Sequence, residues 1–224
     1  MTEIIVAFDV PTGRDALVLA DQLPGLRWAK VGSALYVREG PAVVRAFRDR
    51  GAEVFLDLKW HDIPSTVAQA VSAARDLGVS LATVHCLGGS AMLEAAVHAA
   101  GSMPLVGVTV LTSHDEQSLS AIVGRPITDI GVEVERLAHL ARAAGLRGVV
   151  ASGAELEHLR RTLGAEPWIV VPGIRGPDDP SADQKRTVTA REAARRGATY
   201  IVVGRPVTRA PEPGRALDAL VATL

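Results

Sequence analysis

Six consecutive residues, Asp57-Leu58-Lys59-Trp60-His61-Asp62, bring two carboxylates and an ammonium into one short stretch. They continue the apolar run Val54-Phe55-Leu56, so Asp57 and Lys59 fall at the end of a predicted strand. Strand side chains alternate with period two, which sends both to the same side. Asp62 lies just beyond, in the turn before Pro64. Alternating charges at a strand end cost desolvation energy unless they pair. Clusters of this kind mark reaction centres more often than structural devices.

Lysine usage points the same way. The chain has 24 Lys and Arg together, yet only Lys30, Lys59 and Lys185 are lysines. A compact ammonium can give up a proton, whereas a guanidinium essentially cannot. Lys30 ends a second short run, Arg27-Trp28-Ala29-Lys30-Val31-Gly32. Plainer roles exist for several of these residues. Asp62 also fits the cap of a helix starting near Pro64, and Asp9 could hold a loop through backbone amides. His85, beside Cys86, reads as a partly buried structural histidine, and His61 and His114 have no partner evident in the sequence.

Short apolar runs at 3–9, 27–31, 53–59, 80–85, 105–111, 147–151, 168–172 and 199–203 read as strands. Amphipathic, Ala- and Arg-rich segments near 12–22, 36–50, 65–77, 90–99, 131–144, 154–163, 189–196 and 214–223 read as helices. Strand–helix alternation implies parallel strands with right-handed crossovers. Eight repeats in this length predict an α/β fold, a single-domain (β/α)8 TIM barrel over residues 1–224. An open doubly wound sheet would carry a glycine-rich fingerprint after its first strand; that turn is Asp9-Val10-Pro11-Thr12-Gly13. Two longer connections stand out. Residues 172–186, rich in Gly, Pro and Asp, read as a lid or binding loop, and 112–130 is an irregular stretch containing Thr112, Ser113 and His114.

Barrel enzymes gather their functional groups at the C-terminal ends of the strands. Asp9, Lys30, Asp57 with Lys59, and His85 end the first four predicted strands; Thr112 and Ser113, Gly173 and Arg175, and Gly204 and Arg205 follow the fifth, seventh and eighth. Gly204-Arg205-Pro206 offers a backbone amide and a bidentate guanidinium to an anion, with Gln184 able to fold in from the long loop. The alternative is a plain turn with a solvated arginine.

Composition sets the outer bounds. The chain has 224 residues, 48% of them hydrophobic, and a formal net charge of -1. That is enough for one substantial core and gives no global pull toward nucleic acid or an anionic membrane. The N-terminal Met1–Asp9 segment reads as a strand and not as a signal peptide. No apolar run approaches the roughly 20 residues that span a bilayer, and the one cysteine, Cys86, suits a reducing compartment. The expectation is a cytoplasmic protein. No zinc-type spacing is present, and lysines interleaved with the acids would oppose a metal cation.

Taken together, Asp57-Leu58-Lys59-Trp60-His61-Asp62-Ile63-Pro64-Ser65-Thr66, Phe8-Asp9-Val10, Lys30-Val31-Gly32, Val110-Leu111-Thr112-Ser113, Pro172-Gly173-Ile174-Arg175, Asp183-Gln184-Lys185-Arg186 and Val203-Gly204-Arg205-Pro206-Val207-Thr208 closely resemble the orotidine 5′-monophosphate decarboxylases, in order and over nearly the whole chain. The resemblance implies that Lys59 protonates C6 of the pyrimidine as carbon dioxide leaves, with Asp57 against the substrate carboxylate. It implies a charge network of Lys30, Asp57, Lys59 and Asp62, in which Asp62 comes from the other subunit of a homodimer. Asp9 and Lys30 would bond the ribose, with Thr66 reaching across the dimer. Ser113 would hold the pyrimidine, while Gln184, Gly204 and Arg205 bind phosphate and Pro172 and Arg175 complete the substrate site. No cofactor and no metal are implied. Rival readings are a Mg²⁺-dependent sugar-phosphate decarboxylase or aldolase sharing D-x-K-x-x-D, an isomerase on the same scaffold, and a silent phosphate-binding barrel.

Overall fold

The computed structural model describes residues 1–174 and 188–224. Strands β1 (Glu3–Ala7), β2 (Trp28–Gly32), β3 (Glu53–Trp60), β4 (Leu81–His85), β5 (Leu105–Val108), β6 (Gly148–Val150), β7 (Trp168–Val171) and β8 (Tyr200–Val203) form a closed barrel. Each pairs in parallel with the next, and β8 returns to β1 through Glu3–Tyr200 and Val6–Val203. Such strands are covered on both faces, which is why they read as continuous Val/Ile/Leu runs.

Outside the barrel lie α1 (Gly13–Asp21), α2 (Ser33–Glu39), α3 (Pro41–Asp49), α4 (Pro64–Asp76), α5 (Gly89–Ala100), α6 (Glu116–Val123), α7 (Ile130–Ala143), α8 (Leu156–Leu163), α9 (Ala190–Arg195), α10 (Arg205–Thr208) and α11 (Pro213–Val221). Local chemistry sets their starts. Thr12 caps α1 through the Asp15 amide, and Asp115 with Ser118 and Thr189 with Glu192 form capping boxes on α6 and α9. Two expectations change. The helix expected over 36–50 is broken between α2 and α3 at Gly40, whose φ is 59°. Pro41 disfavours helical backbone in the residue before it, and glycine takes the left-handed turn without penalty. The irregular stretch 112–130 contains a full helix, α6. No helix among the described residues is long and apolar enough to cross a membrane.

Parity along the strands decides what faces the barrel axis. Ile5, Ala7, Trp28, Phe55, Leu81, Val106, Val170, Tyr200 and Val202 form one buried cluster, separate from the larger cluster between sheet and helices. At the N-terminal end, Trp28 and Trp168 each meet Tyr200 edge-on at 5.3 Å, and the Trp28 indole donates to Glu3 at 2.9 Å. This aromatic layer closes the bottom of the barrel. Residues two or four positions further along share its parity and open toward the C-terminal end: Asp9 just after β1, Lys30 on β2, Asp57 on β3, Thr83 on β4.

Candidate active site

Lys30 continues the inward parity of Trp28, and Asp57 that of Phe55, so both stand directly above the apolar floor. Lys30 Nζ lies 2.9 Å from Asp9 Oδ1 and 3.8 Å from Asp57 Oδ2; Lys59 Nζ lies 2.8 Å from the same Asp57 Oδ2. The result is an alternating row, Asp9–Lys30–Asp57–Lys59. Side-chain exposure rises from 10% at Lys30 and 14% at Asp57 to 39% at Lys59 and 65% at Asp9. The two inner charges therefore depend on each other, because removing one partner of a buried pair strands the other without water. Gly32 leaves room for the row: a Cβ there would come within 3.0 Å of both Asp9 Oδ1 and Lys30 Nζ.

Simple alternation does not account for how Asp57 and Lys59 meet. The β3–β4 register slips between Leu56 and Trp60: Leu56 pairs with Ala82, but Trp60 pairs with Val84. Lys59 sits inside this bulge with φ 51°, the only non-glycine positive φ among the described residues. Bulges beside active sites re-aim side chains, and left-handed backbone in a β-strand residue is held only where surroundings over-determine it. Here the Lys59 amide donates to Thr83 Oγ1 at 2.8 Å, and that hydroxyl donates to Asp57 Oδ1 at 3.1 Å.

The cavity over this row has a volume of ≈ 460 Å³, within the range of small-ligand sites. Asp9, Lys30, Asp57 and Lys59 line one side, and Val108, Val110, Val150, Val170 and Val202 the apolar floor and far wall. Pro172, Gly173, Gly204, Arg205, Thr208 and Arg209 form the rim above β7 and β8. One wall offers fixed charge, the other excludes water, and the rim presents two guanidinium groups.

Of the residues singled out from sequence, Asp9, Lys30, Asp57, Lys59, Pro172, Gly204 and Arg205 come together around this cavity. Asp62 and Thr66 do not. Both are exposed, and Asp62 Oδ1 accepts from the Ile63 amide at 2.6 Å. Ser113 is exposed, while its neighbour Thr112 lines the cavity. Arg175 and Gln184, with most of the long loop, lie outside the described residues. Thr83 and Arg209 were missed, and Thr208, part of the Val203–Thr208 motif, was given no role. A polar residue at an inward, fully buried position in Leu81-Ala82-Thr83-Val84-His85 was the available signal for the first. Arg209 had none beyond its place after β8.

His61, which has no partner evident in the sequence, stacks on His85 with ring centroids 5.4 Å apart. Burial, then the charges of His61, Lys59 and His114, push the His85 pKa down to about 4. It stays a neutral acceptor, its Nδ1 taking the Leu87 amide at 3.3 Å. Burial pushes the Cys86 thiol up to about 12, which leaves it unreactive.

The sequence profile described as "Orotidine 5'-phosphate decarboxylase / HUMPS family" matches residues 2–220. The orotidine 5'-phosphate decarboxylase of Nitrosococcus oceani is 46% identical, with 100% of this chain and 97% of that one covered. That of Dichelobacter nodosus is 45% identical, covering 99% and 98%. The crystal structure of orotidine 5'-phosphate decarboxylase from Lactobacillus acidophilus superposes with a TM-score of 0.88 at 33% identity, covering 100% of this chain and 99% of that one. A closed barrel with an Asp–Lys–Asp–Lys row at its C-terminal mouth, matched over its whole length to these proteins, belongs to the orotidine 5'-phosphate decarboxylase / HUMPS family.

Proposed function

We propose that this chain decarboxylates orotidine 5′-monophosphate to uridine 5′-monophosphate, the last step of pyrimidine synthesis. The observation that carries the reading is the Lys30–Asp57–Lys59 row, at 3.8 and 2.8 Å, set above an apolar floor. Breaking the bond from C6 to the carboxylate releases carbon dioxide and leaves an electron pair on C6. That pair lies in the ring plane, orthogonal to the π system, so the ring cannot delocalise it. A fixed cation in a dry pocket can stabilise it. Lys59 then passes a proton from Nζ to C6, forming the C–H bond of the product.

One lysine does not suffice. At about 4 Å and an effective dielectric near 20, an ammonium–carbanion pair contributes about 4 kcal/mol; enzymes lower barriers by about 8 to 23 kcal/mol. The remainder is assigned to preorganisation and to binding energy from the remote phosphate. In this reading Gly204 and Arg205 hold the phosphate, aided by Gln184 and Arg175. Asp9 and Lys30 bond the ribose, Ser113 and Pro172 flank the pyrimidine, and Asp57 faces the departing carboxylate.

Asp62 and Thr66 are proposed to act on the site of a partner subunit in a homodimer. In support, 61–66 is an exposed stretch that presents Ile63, 63% exposed, beside them. The enzyme is proposed to be a cytoplasmic carboxy-lyase, built as one domain over 1–224 and working without cofactor. The Mg²⁺-dependent sugar-phosphate reaction is disfavoured by Lys30, because a divalent cation at Asp57 would meet ammonium groups on two sides.

The test is the ultraviolet absorbance of orotidine 5′-monophosphate mixed with purified protein in EDTA-treated buffer. Loss of the orotate band with uridine 5′-monophosphate as product is expected. An unchanged spectrum, with turnover of a sugar phosphate once Mg²⁺ is added, would transfer the chain to the rival reaction.

A further inference from the structure

We propose that Thr83 is a positioning residue for the decarboxylation: its one hydroxyl sets both the backbone of Lys59 and the facing of the Asp57 carboxylate. The inference rests on the decarboxylase reading but concerns a residue outside the charged row.

The hydroxyl stands between groups with fixed roles. The Lys59 amide can only donate, and an ionised Asp57 can only accept. Thr83 Oγ1 takes the amide at 2.8 Å and gives its own proton to Asp57 Oδ1 at 3.1 Å. Its rotor is therefore committed. Thr83 is 0% exposed, so no water competes for either bond.

Each bond has a geometric consequence. In the β3–β4 bulge the Lys59 amide has left the regular ladder, and the Thr83 side chain replaces the strand acceptor it lost. That bond pins the peptide at which Lys59 adopts φ 51°, a conformation that non-glycine residues hold only when their surroundings impose it. The second bond fixes rotation of the Asp57 carboxylate. With Oδ1 tied to Thr83, Oδ2 is left for both ammonium groups, at 2.8 Å from Lys59 and 3.8 Å from Lys30. A group that neither donates nor accepts would release the lysine's starting point and the acid's orientation together.

The experiment compares Thr83→Val, which keeps the shape and removes the hydroxyl, with Thr83→Ser, which keeps the hydroxyl. Misplacing reacting groups by about 1 Å costs on the order of 10²-fold, so Thr83→Val is expected to lose roughly that in kcat. KM and the Kd for uridine 5′-monophosphate, which lacks the departing carboxylate, should stay within about threefold. Thr83→Ser should recover most of kcat. A crystal structure of Thr83→Val should show Lys59 out of its left-handed conformation or Nζ displaced from Asp57. Full kcat in Thr83→Val, no rescue by Thr83→Ser, or a parallel loss of product affinity would each overturn the inference. If Thr83→Val does not fold, Thr83→Ala is held to the same expectations. Wild-type protein inert toward orotidine 5′-monophosphate would instead sink the decarboxylase reading, and the variant's crystal structure would still decide the geometry.

Discussion

Replacing Lys59 by alanine removes the proposed proton donor and leaves the rest of the row standing. Lys59 Nζ touches Asp57 Oδ2 at 2.8 Å, but Lys30 remains 3.8 Å from the same oxygen. Asp57 therefore keeps a counter-charge, and the fold should survive. The missing ammonium is worth about 4 kcal/mol against charge developing at C6, for a separation of about 4 Å and an effective dielectric near 20. At 1.36 kcal/mol per decade, that is a loss of about 10³-fold in kcat. Loss of the proton donor adds to it, so 10³ is a lower bound. The assay is the initial rate of orotate absorbance loss, paired with thermal unfolding and with uridine 5′-monophosphate affinity, both expected to change little. Lys59→Arg separates charge from proton transfer, because a guanidinium keeps the charge and essentially cannot give the proton. It should be faster than Lys59→Ala, because the charge is kept, and still far slower than wild type, because the proton is not delivered. A Lys59→Ala enzyme retaining more than about a tenth of wild-type kcat would refute the electrostatic reasoning; a Lys59→Arg enzyme as fast as wild type would refute the proton-donor role.

Arg205→Ala should lower kcat/KM by at least about 10²-fold without touching the reacting ring, as expected when remote binding energy is withdrawn; near-normal kinetics would count against phosphate anchoring. His85 gives a pH dependence. Its folded pKa, about 4, lies below the ordinary histidine value of 6.5, so the unfolded chain takes up a proton first as pH falls. Stability should therefore decline from about pH 6.5 down to about 4 and level off below. Thermal unfolding of His85→Gln should show a shallower decline over that window, and an identical profile would exclude His85 as the source. Mixing inactive Lys59→Ala with inactive Asp62→Ala protein should regenerate activity through hybrid dimers carrying one intact site. No recovery after subunit exchange would argue that Asp62 does not serve a partner's site.

Much of this molecule was written in local pattern. The apolar runs ending in Asp9, Lys30 and Asp57 specified strands with charges at their C-terminal ends, and period-two alternation put Asp57 and Lys59 on the same side. Strand–helix repetition specified parallel pairing, and hence a mouth where the strand ends gather. These readings succeeded because alternation and helix periodicity depend on neighbours a few residues apart. Other features depend on residues distant in the chain. The break at Gly40 was hidden inside a continuous amphipathic pattern, although Pro41 marked it. The stacking of His61 on His85, and the placing of Thr112 rather than Ser113 on the cavity wall, follow from how loops settle on a closed barrel. The meeting of Asp57 with Lys59 is the clearest case. Alternation predicted the outcome but not the route, since the β3–β4 register slip and the left-handed Lys59 arise only when a hydroxyl from another strand, 24 residues on, accepts the amide that the ladder gave up. Sequence determined which charges stand at the strand ends; barrel closure decided which of them face inward and touch, because register between strands is set by packing partners that no local period contains.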